Sequence, residues 1–73
     1  MVNTQEIKAE LVRKKHTQRT LAVKMGMDKN TLNAKINGKR PMTDGDIVKL
    51  CKELEVKEDR KVIELFLPEL LAE

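Results

Sequence analysis

The chain has 73 residues, 40% hydrophobic and 37% charged, with one aromatic residue, Phe66, and one cysteine, Cys51. That is the composition of one small globular domain, residues 1–73, with an aliphatic core in which methionine fills gaps. No apolar run reaches the roughly 18 residues of a membrane span, the opening MVNTQEIKAE has no signal-peptide core, and a lone cysteine allows no disulfide framework, so a reducing, cytoplasmic setting is expected.

The net charge of +3 is unevenly spread. Residues 1–40 carry ten Lys/Arg against Glu6, Glu10 and Asp28, while residues 41–73 carry five against nine acids. A basic half joined to an acidic half fits a polyanion on one side, or simply an unevenly solvated surface.

In chain order, four helix starts share one grammar: a capping residue, an apolar residue before it and another at the fourth helical position. Asn3 is the first cap, with Glu6 completing a capping box and Val2 stapled to Ile7. Thr17 is the second, with His16 and Leu21. Asp28 is the third, with Met27 and Leu32. Thr43 is the fourth, with Asp46 at the box position and Met42 and Ile47 as the staple. Gly26 and Gly38 stand where helices end in the left-handed conformation, and Pro41 forbids further helix. Helices are expected over 4–15, 18–25, 29–37 and 44–54, with a fifth beginning near Glu58. Ile7, Leu11, Leu21, Ala22, Met25, Leu32, Ile36, Ile47, Leu50, Cys51 and Leu54 recur at helical spacing and should face inward. Strand-type alternation is absent, so the fold class is all-α.

The last segment, residues 58–73, holds more apolar surface than one stripe. Pro68 should end the helix near Phe66. The surplus reads as a lid over the core or as a homodimer surface formed by Ile63, Phe66, Leu67, Leu70 and Leu71, and exposed apolar patches favour the dimer.

The second and third helices are separated only by GMD. A short turn containing glycine between two such helices forces a steep crossing. Ala22 is small where the helices meet, and Gly26 supplies the positive φ of the turn. In register with the caps, residues 18–37 carry the signal of a DNA-binding helix-turn-helix.

The stretch TQRTLAVKMGMDKNTLNAKINGKRPMTDGDIVKLCKEL resembles the phage repressor/Cro family of helix-turn-helix domains, the xenobiotic-response-element class. The pattern TQ..LA...GM...TL..KINGK..MT..DI..L...L is most similar to small regulators of Gram-positive bacteria, their phages and prophages. The resemblance spans about residues 5–67. It implies a compact five-helix bundle of the lambda repressor-like type that binds operator DNA, commonly as a dimer, with its third helix in the major groove. Lys35 departs from the pattern at a place often apolar, Lys57 stands where a capping residue is common, and Pro68 and the tail after it lie outside the pattern.

The chemistry of the third helix fits the same destination. An α-helix enters the major groove, where Asn pairs bidentately with adenine and Lys donates to guanine. By position in the motif, Lys29, Asn30, Asn33 and Ala34 are assigned to base contact, Ala34 through a methyl contact. Gln18, Arg19, Asn37, Lys39 and Arg40 are assigned to phosphate, with Arg13, Lys14 and Lys15 extending that track. For any one of these residues a solvated helix face competes; for the set, DNA is favoured. His16 has no ligand partner at metal spacing, Cys51 reads as a core residue, and the acids of TDGD offset a helix dipole. No metal, cofactor, small-molecule substrate, membrane partner or enzymatic activity is expected.

The leading expectation is a Cro-like transcriptional repressor, cytoplasmic and nucleoid-associated, acting as a homodimer on double-stranded operator DNA. The alternatives are an antirepressor or modulator that engages a repressor through the apolar C-terminal segment, or an antitoxin that engages a toxin.

Overall fold

The computed structural model describes residues 2–71. Five α-helices follow one another: α1 (Thr4–Arg13), α2 (Gln18–Met25), α3 (Lys29–Ile36), α4 (Asp44–Glu53) and α5 (Asp59–Phe66), with a 3-10 turn over Pro68–Leu71. No strand occurs among the described residues, and the all-α expectation holds. Of the C-terminal segment 58–73, Ala72 and Glu73 lie outside the described residues.

The caps form largely as the sequence implies. Thr43 and Asp46 exchange the two hydrogen bonds of a capping box, and the Asp28 carboxylate accepts the Asn30 N–H at 2.9 Å. Thr17 also closes a box, with Thr20 as its partner. The first box does not form. Asn3 Oδ1 accepts the Glu6 N–H at 3.3 Å, but the Asn3 N–H donates to the Leu65 carbonyl at 2.7 Å, binding α1 to α5. Glu6 is drawn instead to Arg13 and Lys61. The fifth helix starts at Asp59 with Glu58 as an N-cap whose side chain makes no capping bond, so Lys57 has no capping role.

The helix stops share a second grammar. After each of α1 to α4, one N–H reaches back five residues to a carbonyl and the preceding N–H reaches back three. The longer bonds are His16 to Leu11 (2.9 Å), Met27 to Ala22 (3.0 Å), Lys39 to Ala34 (2.8 Å) and Val56 to Cys51 (2.9 Å). This closure needs one left-handed residue. Gly26 (φ 70) and Gly38 (φ 78) provide it as expected, but Lys15 (φ 60) and Glu55 (φ 54) provide it where no glycine marks the end. Consequently α1 and α4 stop one or two residues before the expected boundaries.

The core joins Ile7 and Leu11 of α1, Leu21, Ala22 and Met25 of α2, Leu32 and Ile36 of α3, and Leu50, Leu54, Val56, Leu65 and Phe66 from α4 onward. Ile47 and Cys51, expected to face inward, pack against this core but are only partly buried. They border an open apolar groove of about 450 Å³ with Val48, Val56 and Val62. Phe66 is 3% exposed and belongs to this core, which corrects its place in the expected dimer surface. α2 packs on α3 and α4, and α1 packs on α5.

A Cβ built on Gly26 meets nothing within 4 Å, so that glycine answers to its φ of 70° and not to a close neighbour. Gly26→Ala is expected to lower stability by about 1–2 kcal/mol, the left-handed penalty of an L-residue. Lys15→Gly relieves the same strain but loosens the unfolded chain, for a net gain of up to about 1 kcal/mol. Urea unfolding of the two variants checks both signs.

Candidate nucleic-acid interface

Eight residues form α3, and only Leu32 and Ile36 are buried, each 0% exposed. Lys29 and Asn30 are exposed, and Asn33, Ala34 and Asn37 are half-buried. The 3.6-residue period sets Asn30, Ala34 and Asn37 on the side away from Leu32 and Ile36, with Asn33 on the flank. Three of these four carry amides, each offering donors and an acceptor.

The N-terminal end of α3 is fixed by Asp28 and by Met27, which packs against the core after the Gly26 turn. The C-terminal end is fixed three times. Thr4 Oγ1 donates to the Ile36 carbonyl at 2.7 Å, across 32 positions of sequence. The Lys39 and Arg40 N–H groups both donate to the Ala34 carbonyl, at 2.8 and 3.2 Å. Lys35 Nζ lies 2.6 Å from Asp46 Oδ2 on α4. Neither the Thr4 bond nor the Lys35 bond was anticipated from sequence. The signals available were Lys35 at a usually apolar place and Asp46 at a box position that keeps one carboxylate within reach of a second donor.

Asn37 Nδ2 donates to Asn33 Oδ1, so a phosphate contact by Asn37 would have to use its second N–H. The bond holds the Asn33 rotamer and leaves Asn33 its own NH2 and a second lone pair, which suffices for bidentate pairing with adenine.

Flanking α3 are the groups assigned to phosphate. Gln18 and Arg19 open α2, ahead of its first intrahelical bond from the Leu21 N–H to the Thr17 carbonyl at 3.0 Å, so their amides point out of the helix N-terminus. Gln18 Oε1 is shielded from solvent and has no hydrogen-bond partner among the described residues. Arg19, Lys39 and Arg40 are exposed and form no ion pair among the described residues. Arg13 is different. Its guanidinium pairs with Glu10 and Glu6, and these carboxylates raise its pKa. Lys24 pairs with Glu53 at 3.9 Å, and Lys61 of α5 lies 3.7 Å from Glu10.

Asp46 is 8% exposed. Burial pushes its carboxyl up, but the bonds from Lys35 and from the Thr43 backbone and hydroxyl outweigh burial together, and the net shift is downward. Cys51 on the groove is pushed up by burial, toward an inert thiol.

Two short helices crossing at a glycine turn, the second bearing outward amides between exposed cations, define a helix-turn-helix domain of the DNA-binding class. The model of a helix-turn-helix family matches residues 7–61, most of the chain. The chain belongs to that family, the Cro/C1-type helix-turn-helix proteins, and so to a class of DNA-binding regulators with no enzymatic activity implied. No curated protein and no solved structure gave a match. No described helix is long and apolar enough to cross a membrane.

The Asp46 shift carries a pH dependence. Its folded-state pKa lies below the ordinary 3.8, so the stability it contributes is fully present above that value and is lost as pH falls through the lower folded value. Unfolding midpoints followed downward from pH 6 should fall less steeply on the acid side for Asp46→Asn than for the parent chain. Superimposable acid limbs would contradict the assignment.

Proposed function

We propose that this chain is a sequence-specific transcriptional repressor that occupies an operator with α3 in the major groove. The observation carrying the proposal is the surface of α3: an eight-residue helix that buries two residues and leaves Asn30, Asn33 and Ala34 unburied, with Asn37 as its C-cap and exposed Arg19, Lys39 and Arg40 in the flanking segments of the chain. Lys29, Asn30, Asn33 and Ala34 read base edges. Gln18, Arg19, Asn37, Lys39 and Arg40 hold phosphate and set the register. Repression follows from occupancy, as a bound domain excludes polymerase from the same DNA. The setting is cytoplasmic, on the nucleoid.

The acting form is a homodimer. Leu67, Leu70 and Leu71 are 49%, 68% and 37% exposed, a cluster larger than scattered surface leucines require, and half-buried Ile63 lies on the same C-terminal segment. Two copies related by a two-fold axis would read two half-sites about one helical turn apart. Light scattering after size exclusion is expected to give the dimer mass for the parent and the monomer mass for Leu70→Asp. A parent that stays monomeric at micromolar concentration removes the dimer from the proposal, and the same leucines then become the surface for a repressor or toxin partner.

Base reading and phosphate holding separate by substitution. With a duplex selected by this chain from a random pool, Asn30→Ala and Asn33→Ala should each weaken selected DNA by about 1–3 kcal/mol while leaving random DNA nearly unchanged. Lys39→Ala should weaken both alike and make the salt dependence shallower by about one unit. Equal losses on the two duplexes for the Asn variants would sink the readout assignment.

A further inference from the structure

Lys35 stands on α3 but not with its outward amides. Its ammonium lies 2.6 Å from Asp46 Oδ2, and only 17% of the Lys35 side chain and 11% of the Asp46 side chain are exposed. The same carboxylate oxygen accepts the Thr43 N–H at 3.0 Å. One oxygen therefore joins the last turn of α3 to the cap of α4, across eleven positions of sequence. The loop so closed carries Lys39 and Arg40, and it is pinned again by their two N–H bonds to the Ala34 carbonyl.

A lysine on a helix of this kind would ordinarily be counted with the DNA contacts. Its partner and its burial remove it from that count. What it does instead follows from how DNA is read. Phosphate contacts fix register and base contacts specify sequence, so the two sets must be held at a constant spacing for one site to be preferred. Lys35 and Asp46 join the helix that bears Asn30 and Asn33 to the first turn of α4, and so close the chain segment that bears Lys39 and Arg40.

We infer that Lys35 is a positioning residue for DNA recognition: through Asp46 it locks the Lys39–Arg40 loop against α3 and so sets the distance between phosphate clamp and base-reading amides, without touching DNA itself. The inference rests on the base-reading assignment made above. Loosening the link lets the phosphate clamp bind while the amides lose their register. Affinity for the preferred site falls, and affinity for arbitrary sequence does not.

The test compares Lys35→Met, Lys35→Arg and Asp46→Asn with the parent chain, by fluorescence anisotropy on the selected duplex and on a random duplex of equal length, between about 50 and 200 mM salt. Lys35→Met and Asp46→Asn are expected to weaken the selected duplex about tenfold, the size of one lost base contact. They should leave random-duplex affinity and the salt slope unchanged, and Lys35→Arg should restore most of the preference. A phosphate-contacting Lys35 gives the opposite pattern: Lys35→Met weakens both duplexes and lowers the slope by about 0.9, while Asp46→Asn frees the lysine and tightens both. That pattern, or an unchanged preference in Lys35→Met, overturns the inference. Should Lys35→Met fail to fold, Asp46→Asn decides by the sign of its effect, since it keeps the lysine and an oxygen for Thr43. A parent chain that binds both duplexes alike defeats the base-reading assignment itself and the inference with it, whereas a parent that discriminates isolates any failure to Lys35.

Discussion

A helix of eight residues does not persist in water on its own, because too few hydrogen bonds follow the costly first turn. α3 is such a helix, and its sequence offers little help: two asparagines, a threonine and two lysines among KNTLNAKI, with only Leu32 and Ile36 to bury. Full burial of those two side chains contributes on the order of 1.5–3 kcal/mol each. The remainder comes from the ends. Asp28 takes one N-terminal amide, while Thr4 takes the Ile36 carbonyl and the 37–40 loop closes over the Ala34 carbonyl. A helix held by its termini and one apolar stripe can leave the opposite side to a partner.

The charges divide along the same line. Arg13, Glu6, Glu10, Lys61 and Glu64 form a network between α1 and α5, and Lys24 meets Glu53 of α4. Half-exposed pairs of this kind contribute about 0–1 kcal/mol each, so their consequence is less stability than the disposal of charge. Cations in the network are neutralised where they stand. Arg19, Lys29, Lys39 and Arg40 are not, and they stand on α3 or in the segments on either side of it in the chain.

Features governed by local chemistry were legible in the sequence. Caps at Thr17, Asp28 and Thr43, the positive φ at Gly26 and Gly38, and the stop before Pro68 depend on residues within four positions of each other, and all are observed. Features governed by tertiary partners were not. Asn3 gives its N–H to Leu65 and not to Glu6 because α5 lies across the start of α1, which no local pattern announces. Lys15 and Glu55 adopt left-handed conformations without glycine because the chain must turn there to bring the next element onto the core. Phe66 was assigned outward on composition and is buried, because α5 uses its last turn to close the core. In the site, the outward turn of Asn30 follows from period alone and the pairing of Arg13 with Glu10 and Glu6 from spacing within α1, whereas the bond from Lys35 to Asp46 depends on which helix packs beside which.

The central claim is that the face of α3, flanked by the starts and ends of its neighbours, is where DNA sits. Titration of the uniformly 15N-labelled domain with its selected duplex tests this residue by residue. The expected result is that the largest shift changes fall on the backbone and side-chain amides of Asn30 and Asn33 and on the amides of Gln18, Arg19, Lys39 and Arg40, with α5 little affected. Changes centred on α5 or on the apolar groove beside Cys51, with α3 unmoved, would contradict it.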